Sequence, residues 1–354
     1  MLQELYHFED ASEENYNPTS LCSDAPFTQS FAYGKWQIEM GRTVIRKNIL
    51  KNSQIIGCFQ AIAYPLVRGK KYLYIPHGPV LSEKVNADFA KAFKTELKKI
   101  SKETGATFIR FDAFPTENFP NEFLAQNFSH SPFSSYFSAI FQSKYDWVLN
   151  ISKSEAEILS AMHEKTRYSV RLSVKKEIIV EQIAGHDMQN YFETFWTLMQ
   201  ETAKRGKFAL HPKKYYKIIF EKAEHDKSTA LFVAKFQNKI LATHLMIFYG
   251  NTAFYPFGAS TEKERNRQPT YALHFEAMKE AKKRGCIFYN FGAIETADAK
   301  ITHENWSGIS DFKRKFGGSL LEYSDFYDYV SSPLFYYLYT LRKKLKKYYI
   351  QAKS

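Results

Sequence analysis

The stretch ALFVAKFQNKILATHLMIFYGNTAFYPF (residues 230–257) decides how this chain is read. Two apolar runs rich in β-branched and aromatic residues, Ala230 to Phe236 and Ile240 to Tyr249, flank the polar turn Gln237-Asn238-Lys239. A third run covers Thr252 to Phe257, so the stretch reads as consecutive strands. Before it, Phe192 to Lys204 and Tyr215 to Glu224 read as helices; after it, Tyr271 to Arg284 has helical spacing that closes on Gly285, and Ile287 to Phe291 returns as a strand. The first half of the chain has the same order. Lys47 to Leu50 and Ile55 to Tyr64 form a hairpin pattern around Lys51-Asn52-Ser53-Gln54, and Tyr72 to Pro76 is a further strand. Ala87 to Thr104 is helical through Phe89, Phe93, Leu97 and Ile100 up to Gly105, and Phe108 to Phe111 is again a strand. The repetition is of element order, not of residues, and it predicts two α/β units with mixed sheets.

Composition agrees with two units. The chain has 354 residues, more than one ordinary core accommodates, and 44% of them are hydrophobic and 17% aromatic, which excludes a mostly disordered chain. No run approaches the roughly 18 apolar residues of a membrane span. The amino terminus, MLQELYHFEDASEENYN (1–17), is acidic and polar where a secretory signal is basic and then apolar, so the expected location is cytoplasmic. Cys22, Cys58 and Cys286 are widely spaced and show no metal-binding or disulfide pattern. A net charge of +12 suggests an anionic partner such as nucleic acid, a phosphorylated substrate or a membrane surface; the alternative is a lysine-rich solvated surface.

Four stretches carry candidate chemistry. Ser154 to Lys176 is expected as one helix, serving as the hinge between the units, with His163, Arg167, Arg171 and Lys175 in a basic stripe of four-residue spacing; phosphate-backbone contact is the functional reading and a solvated face the other. Tyr168 adds a stacking surface. Phe312-Lys313-Arg314-Lys315-Phe316-Gly317-Gly318 sets three cations between aromatics before two glycines, a loop suited to an oxyanion or to the end of a tRNA, or else an ordinary basic turn. Asp112, emerging from the apolar strand IRFDAF (109–114), can orient or deprotonate an amine, or cap a turn. The tail from Ser332, ending RKKLKKYY (342–349), reads as a basic amphipathic helix, either solvated or lying on a membrane surface.

The element order is the one expected of a duplicated GNAT-like acyltransferase fold. Such an enzyme presents a glycine-rich loop to the pyrophosphate of coenzyme A, whereas here Arg267, Gln268, Pro269 and Thr270 stand in that place; no glycine is present and Pro269 removes a donor, which disfavours coenzyme A as the acyl carrier. Eight stretches in order then carry a more specific likeness: TQSFAYGKW (28–36), YLYIPHGPVL (72–81), FIRFDAFP (108–115), HEKTRYSVRLSVKK (163–176), QETAKRGKFALHP (200–212), FYPFGAS (254–260), AKKRGCIFYNFGAIE (281–295) and WSGISDFKRKFGG (306–318). Together they resemble the FemABX family of peptidoglycan bridge-forming aminoacyltransferases.

The resemblance implies two GNAT-like domains, residues 1–147 with 319–354 packing back on them and residues 148–318, without the coiled-coil arm that some staphylococcal members insert. It implies transfer of Gly, Ala or Ser from aminoacyl-tRNA, as co-substrate, to an amine of a lipid-linked or UDP-linked muramyl-pentapeptide precursor, with no metal and no other cofactor. A peripheral contact with the cytoplasmic membrane goes with the lipid-linked acceptor. Lys313 and Phe312 resemble the pair acting on the tRNA end, beside Arg314 and Lys315; Asp112 resembles the carboxylate at the acceptor site; Lys35 and Arg205 resemble the cations holding the acceptor diphosphate; and Tyr74 and Tyr255 resemble residues lining the acceptor cleft. His77 stands where Arg is expected, Ala293 replaces a glycine, and Pro256 interrupts an aromatic strand. The competing readings are an acyl-coenzyme-A-dependent N-acyltransferase and a non-catalytic relative that binds tRNA or the envelope.

Overall fold

The structure is a computed structural model that describes residues 6–132, 142–223, 227–296 and 306–351; the side chains of residues 306, 344 and 346–351, and so most of the basic run of the tail, lie outside the described residues. The strands are β1 (Tyr6–Asp10), β2 (Val44–Lys51), β3 (Gln54–Pro65), β4 (Lys71–Ile75), β5 (Val80–Leu81), β6 (Ala106–Phe111), β7 (Ser129–His130), β8 (Tyr145–Asn150), β9 (Ile179–Ala184), β10 (Thr229–Phe236), β11 (Lys239–Tyr249), β12 (Thr252–Ser260), β13 (Phe288–Ala293), β14 (Ser319–Glu322) and β15 (Tyr327–Val330). The helices are α1 (Pro18–Leu21), α2 (Phe31–Glu39), α3 (Ala87–Thr104), α4 (Asn121–Asn127), α5 (Glu155–Ala161), α6 (Glu164–Lys175), α7 (Phe192–Gly206), α8 (Lys213–Lys222), α9 (Pro269–Lys283), α10 (Trp306–Arg314) and α11 (Pro333–Gln351). The chain divides into two compact units, residues 1–142 with 323–354, and residues 143–322.

Each unit is built on one mixed sheet. The order is β1-β2-β3-β4-β6-β15-β7 in the first and β14-β8-β13-β12-β11-β10-β9 in the second. Each path contains a single parallel step, β4 with β6 and β12 with β13, and the other neighbours run antiparallel. A parallel step requires a crossover, and α3 and α9 supply it. The spacing that predicts α3 is the spacing that buries it: Phe89, Phe93, Leu97 and Ile100 enter a core with Phe59, Leu73, Ile109 and Phe111. Asn86 caps its start by accepting the Phe89 N–H, and Gly105 ends it at φ 71°. On α9, Ala272, Ala277 and Ala281 let the helix lie close against Phe232, Ala242 and Met246 of the second sheet.

The parallel ladder of the first unit spans the whole of β4 and β6, whereas that of the second stops early. Residues pair from Lys71↔Ala106 to Ile75↔Phe111 in the first unit, and only from Thr252↔Phe288 to Phe254↔Asn290 in the second, although β12 runs on to Ser260 and β13 to Ala293. A wedge therefore opens between β12 and β13. The β11–β12 register also shifts between Leu245 and Ile247, leaving Tyr255 and Pro256 in a bulge. Pro256 thus does not break the strand, because it stands where the ladder skips a donor.

Two expectations are corrected. Residues 154–176 are not one helix and not a hinge: α5 and α6 break at Met162-His163, and both lie within the second unit. Ser154 and Glu157 form a complete capping box for α5, while His163 caps α6 with its ring nitrogen on the Lys165 N–H. The second correction concerns residues 312–318, of which Phe312, Lys313 and Arg314 belong to the last turn of α10, not to a loop.

In the first unit, Arg110 is fully buried and meets Asp328 of β15 through two parallel bonds of 2.7 Å, with Ser131 and the Tyr336 hydroxyl of α11 completing the cluster. Asp328→Ala leaves a buried guanidinium without its counter-charge and is expected to cost about 3–5 kcal/mol in urea denaturation. Arg110→Met combined with Asp328→Leu should regain most of that loss.

Candidate functional site

In the second unit the wedge between β12 and β13 gathers the chemistry. Lys313, from the last turn of α10, is 7% exposed and donates from Nζ to the Ala293 carbonyl at 2.6 Å. Burial lowers its pKa to about 8, opposed by the charge of Asp146. Asp146 in turn accepts from Asn290 at 2.9 Å, and Asn290 accepts the Gly292 N–H at 2.6 Å. Gly292 has φ 73°, and a Cβ there would stand 4.0 Å from the Lys313 ammonium, so the turn at the end of β13 both faces and limits the cation. The ammonium is held on a neutral carbonyl, which leaves it able to stabilise a developing negative charge.

Around it lies an aromatic wall. The Phe312 and Phe316 rings are 5.1 and 5.7 Å from Tyr271 and 5.5 and 5.0 Å from His274. Tyr255, turned by the bulge, lies 4.5 Å from His244 and 4.7 Å from His274, and its hydroxyl occupies the space a side chain at Gly258 would need. His244 and His274 are 4.2 Å apart and fully buried. His274 Nδ1 meets the Tyr289 hydroxyl at 2.9 Å, whereas His244 Nδ1 and His274 Nε2 have no hydrogen-bond partner among the described residues. Burial holds both rings neutral, His244 at about 3 and His274 well below its usual value. Sequence reading passed over this pair. Their signal was a polar residue inside the buried run of β11 and on the apolar face of α9.

The glycine pair after Phe316 has a packing role. Gly317 and Gly318 have φ of 83° and 103°, a Cβ at Gly318 would overlap the Val148 carbonyl, and the Gly317 carbonyl accepts from Trp147 at 2.7 Å. Arg205, at the end of α7, donates to Ser260 Oγ at 3.1 Å where β12 finishes. Its Nη1 is buried and has no hydrogen-bond partner among the described residues.

The expected tRNA-facing cations are divided. His163, Arg171, Lys175 and Lys315 are exposed. Arg167 is half-buried and staples the α5–α6 break by donating to the Ser160 carbonyl at 3.0 Å and to that of Met162. Arg314 donates to the Glu295 carbonyl and pairs with Asp311 at 3.3 Å.

The first unit holds a buried carboxylate. Asp112 follows β6 and is 1% exposed; it accepts the His77 N–H at 2.9 Å, and its other oxygen is 3.4 Å from His77 Nε2. The Tyr74 hydroxyl also bonds it, so Tyr74 stands behind the carboxylate in the core. Burial pushes the Asp112 pKa up to about 7 against these bonds and the Arg110 charge. The His77 ring lies flat on Tyr323 at 3.8 Å, and its turn is held by Thr28 and Gln29, which donate to the Pro76 carbonyl at 3.2 and 2.7 Å. Lys35 is on the exposed side of α2, paired with Glu13 at 2.6 Å and 5.1 Å from the Phe31 ring.

Comparison with known proteins follows the same lines. The FemAB family model matches residues 19–239 and 222–344. The lipid II:glycine glycyltransferase of Staphylococcus haemolyticus is 24% identical over 322 residues, 71% of this chain and 75% of that protein. The crystal structure of FemX superposes with a TM-score of 0.81 at 19% identity, covering 94% of this chain and 99% of that one. A tandem GNAT protein from the clavulanic acid biosynthesis pathway superposes with a TM-score of 0.56 at 8% identity, covering 92% and 98%. The fold is thus a pair of GNAT-like mixed α/β units.

The raised pKa of Asp112 has a stability consequence. The folded chain keeps its proton up to about pH 7 while the unfolded chain releases it near 4, so stability falls as pH rises between those values. Asp112→Asn removes the loss. The variant should gain on the wild type by at most on the order of 4 kcal/mol across that interval, read as the difference in urea midpoints at pH 4 and pH 8.

Proposed function

Because this chain belongs to the FemAB family, we propose that it transfers an amino acid, glycine first among the candidates, from aminoacyl-tRNA to an amine of a lipid-linked peptidoglycan precursor. The observation that carries the reading is the buried Lys313 ammonium at the β12–β13 wedge. The stem-peptide amine attacks the ester carbonyl of the charged tRNA, a new C–N bond forms, the C–O bond to the ribose breaks, and the proton lost by the amine ends on the ribose oxygen. The ester is already activated, so the enzyme supplies position and charge stabilisation instead of a covalent nucleophile. Lys313 stabilises the tetrahedral oxyanion, and Phe312 offers a ring to the tRNA end. Arg205 on the second unit and Lys35 on the first are each proposed as a cation for the acceptor diphosphate, and Asp112 positions the amine.

The exposed His163, Arg171, Lys175 and Lys315, beside Tyr168 at 65% exposure, suit a phosphate backbone with a stacked base. A coenzyme A donor fits less well: Glu264 and Gln268 take left-handed φ without being glycine, and Pro269 opens α9 without an N–H. A lipid-linked acceptor also brings the enzyme to the cytoplasmic membrane surface.

Lys313→Met is expected to lower kcat by about 100- to 1,000-fold with little change in acceptor KM, in an assay of labelled glycyl-tRNA with a lipid-linked pentapeptide. Wild-type kcat should fall as pH rises through about 8, since the ammonium acts only while protonated. Persistence of that limb in the residual activity of Lys313→Met assigns the titration to another group. Lys35→Ala and Arg205→Ala should each raise acceptor KM roughly tenfold, and an unchanged KM in both removes them from the diphosphate site.

A further inference from the structure

We propose that α11 seats the protein on an anionic lipid surface through its outward face. The helix has two apolar faces. The inner one carries Tyr336, whose ring is 5.2 Å from Phe108 and whose hydroxyl bonds Asp328, together with Tyr339, 5.9 Å from Phe108, and the buried Thr340. The outer one carries Leu334, Tyr337, Leu338, Leu341 and Leu345, between 40% and 73% exposed. Their spacing of three, four, seven and eleven residues from Leu334 confines all five to an arc of roughly 100°. A helix docked by one face ordinarily turns polar residues to water on the other, so a continuous leucine stripe there calls for a partner.

Charge identifies the partner. Arg342 borders the stripe and is exposed, as is Lys343, and the sequence adds Lys344, Lys346, Lys347 and Lys353, while no Asp or Glu occurs from Pro333 to Ser354. A second copy of the chain would set two wholly basic helices against each other, whereas an anionic bilayer accepts leucines into its boundary and the cations at its headgroups. No helix among the described residues is long and apolar enough to cross a membrane, so α11 lies in the interface plane. The use of this contact rests on the lipid-linked acceptor proposed above; its geometry does not.

The test is co-sedimentation of the full chain with vesicles of phosphatidylglycerol and phosphatidylcholine, against vesicles of phosphatidylcholine alone. Wild type should pellet with the anionic vesicles and be released by salt. Leu338→Glu with Leu341→Glu, at exposed positions that leave folding intact by circular dichroism, should bind about tenfold more weakly or worse. The same variant should transfer to a UDP-linked acceptor at the wild-type rate and to a vesicle-borne acceptor more slowly. Equal pelleting of wild type and variant overturns the proposal, as does no pelleting of either. A wild-type dimer in solution that the variant dissolves overturns it in favour of a second copy. Vesicle binding with no tRNA-dependent transfer leaves the surface standing and sinks the aminoacyltransferase reading.

Discussion

Two parallel strands cannot be joined by a tight turn, and each sheet of this protein contains one such pair. The constraint orders much of what surrounds it. A long helix must cross over, so α3 and α9 carry the apolar faces that close the two cores. In the second unit the pair is joined only over its first few residues. Beyond Ile75 and Phe111, where β4 and β6 end, and beyond Phe254 and Asn290, where β12 and β13 run on without pairing, the backbone has groups that the partner strand does not satisfy. Those positions are where polar side chains are worth burying.

The end of the parallel ladder takes opposite charge in the two units. In the first it receives a carboxylate, Asp112, held by the His77 N–H and the Tyr74 hydroxyl. In the second it receives an ammonium, Lys313, held by the Ala293 carbonyl. Both are driven toward neutrality by burial, the acid upward and the base downward, and both come to rest near physiological pH. Duplicated topology thus carries inverted electrostatics, an acid in one unit and a base in the other. The wall behind Lys313 adds two neutral histidines, so the surroundings of the ammonium are polarisable without competing with it for charge.

Much of the fold was legible because helix and strand periods are local. The helix read from Ala87 to Thr104 and closed by Gly105 is α3 to the residue, and the three strands from 230 to 260 follow their apolar runs. The break at Met162-His163 was not legible, because helical periodicity continues across it; what ends α5 is the non-local bond from the His163 N–H to the Lys315 carbonyl, 152 positions along the chain. Phe312 to Gly318 was misread for a related reason: paired glycines suggest a loop, but here they let the chain press against β8 after a helix. His244 and His274 sit at positions whose period predicts leucine or valine, and only the fold brings their rings together.

Charge is the property that sequence overstates most. In the second unit many cations are held by backbone carbonyls: Lys282 by those of Ile151, Ser152 and Lys153, Arg284 by Lys227, Arg267 by Lys176, Arg314 by Glu295, and Arg167 by Ser160 and Met162. These are loop and helix ends whose acceptors would otherwise go unmet, and a lysine or arginine reaching from another element closes them at long range. A basic stretch in the sequence therefore counts exposed cations and structural ones alike. Among the cations expected to face a tRNA, removing the second kind takes out Arg167 and Arg314 and leaves His163, Arg171, Lys175 and Lys315 with Tyr168 beside them, which are exposed and so able to meet an anion. Electrostatic reach falls off within about 10 Å at ordinary salt, so it is the position of exposed cations, not the net charge of +12, that decides which part of this surface attracts an anion.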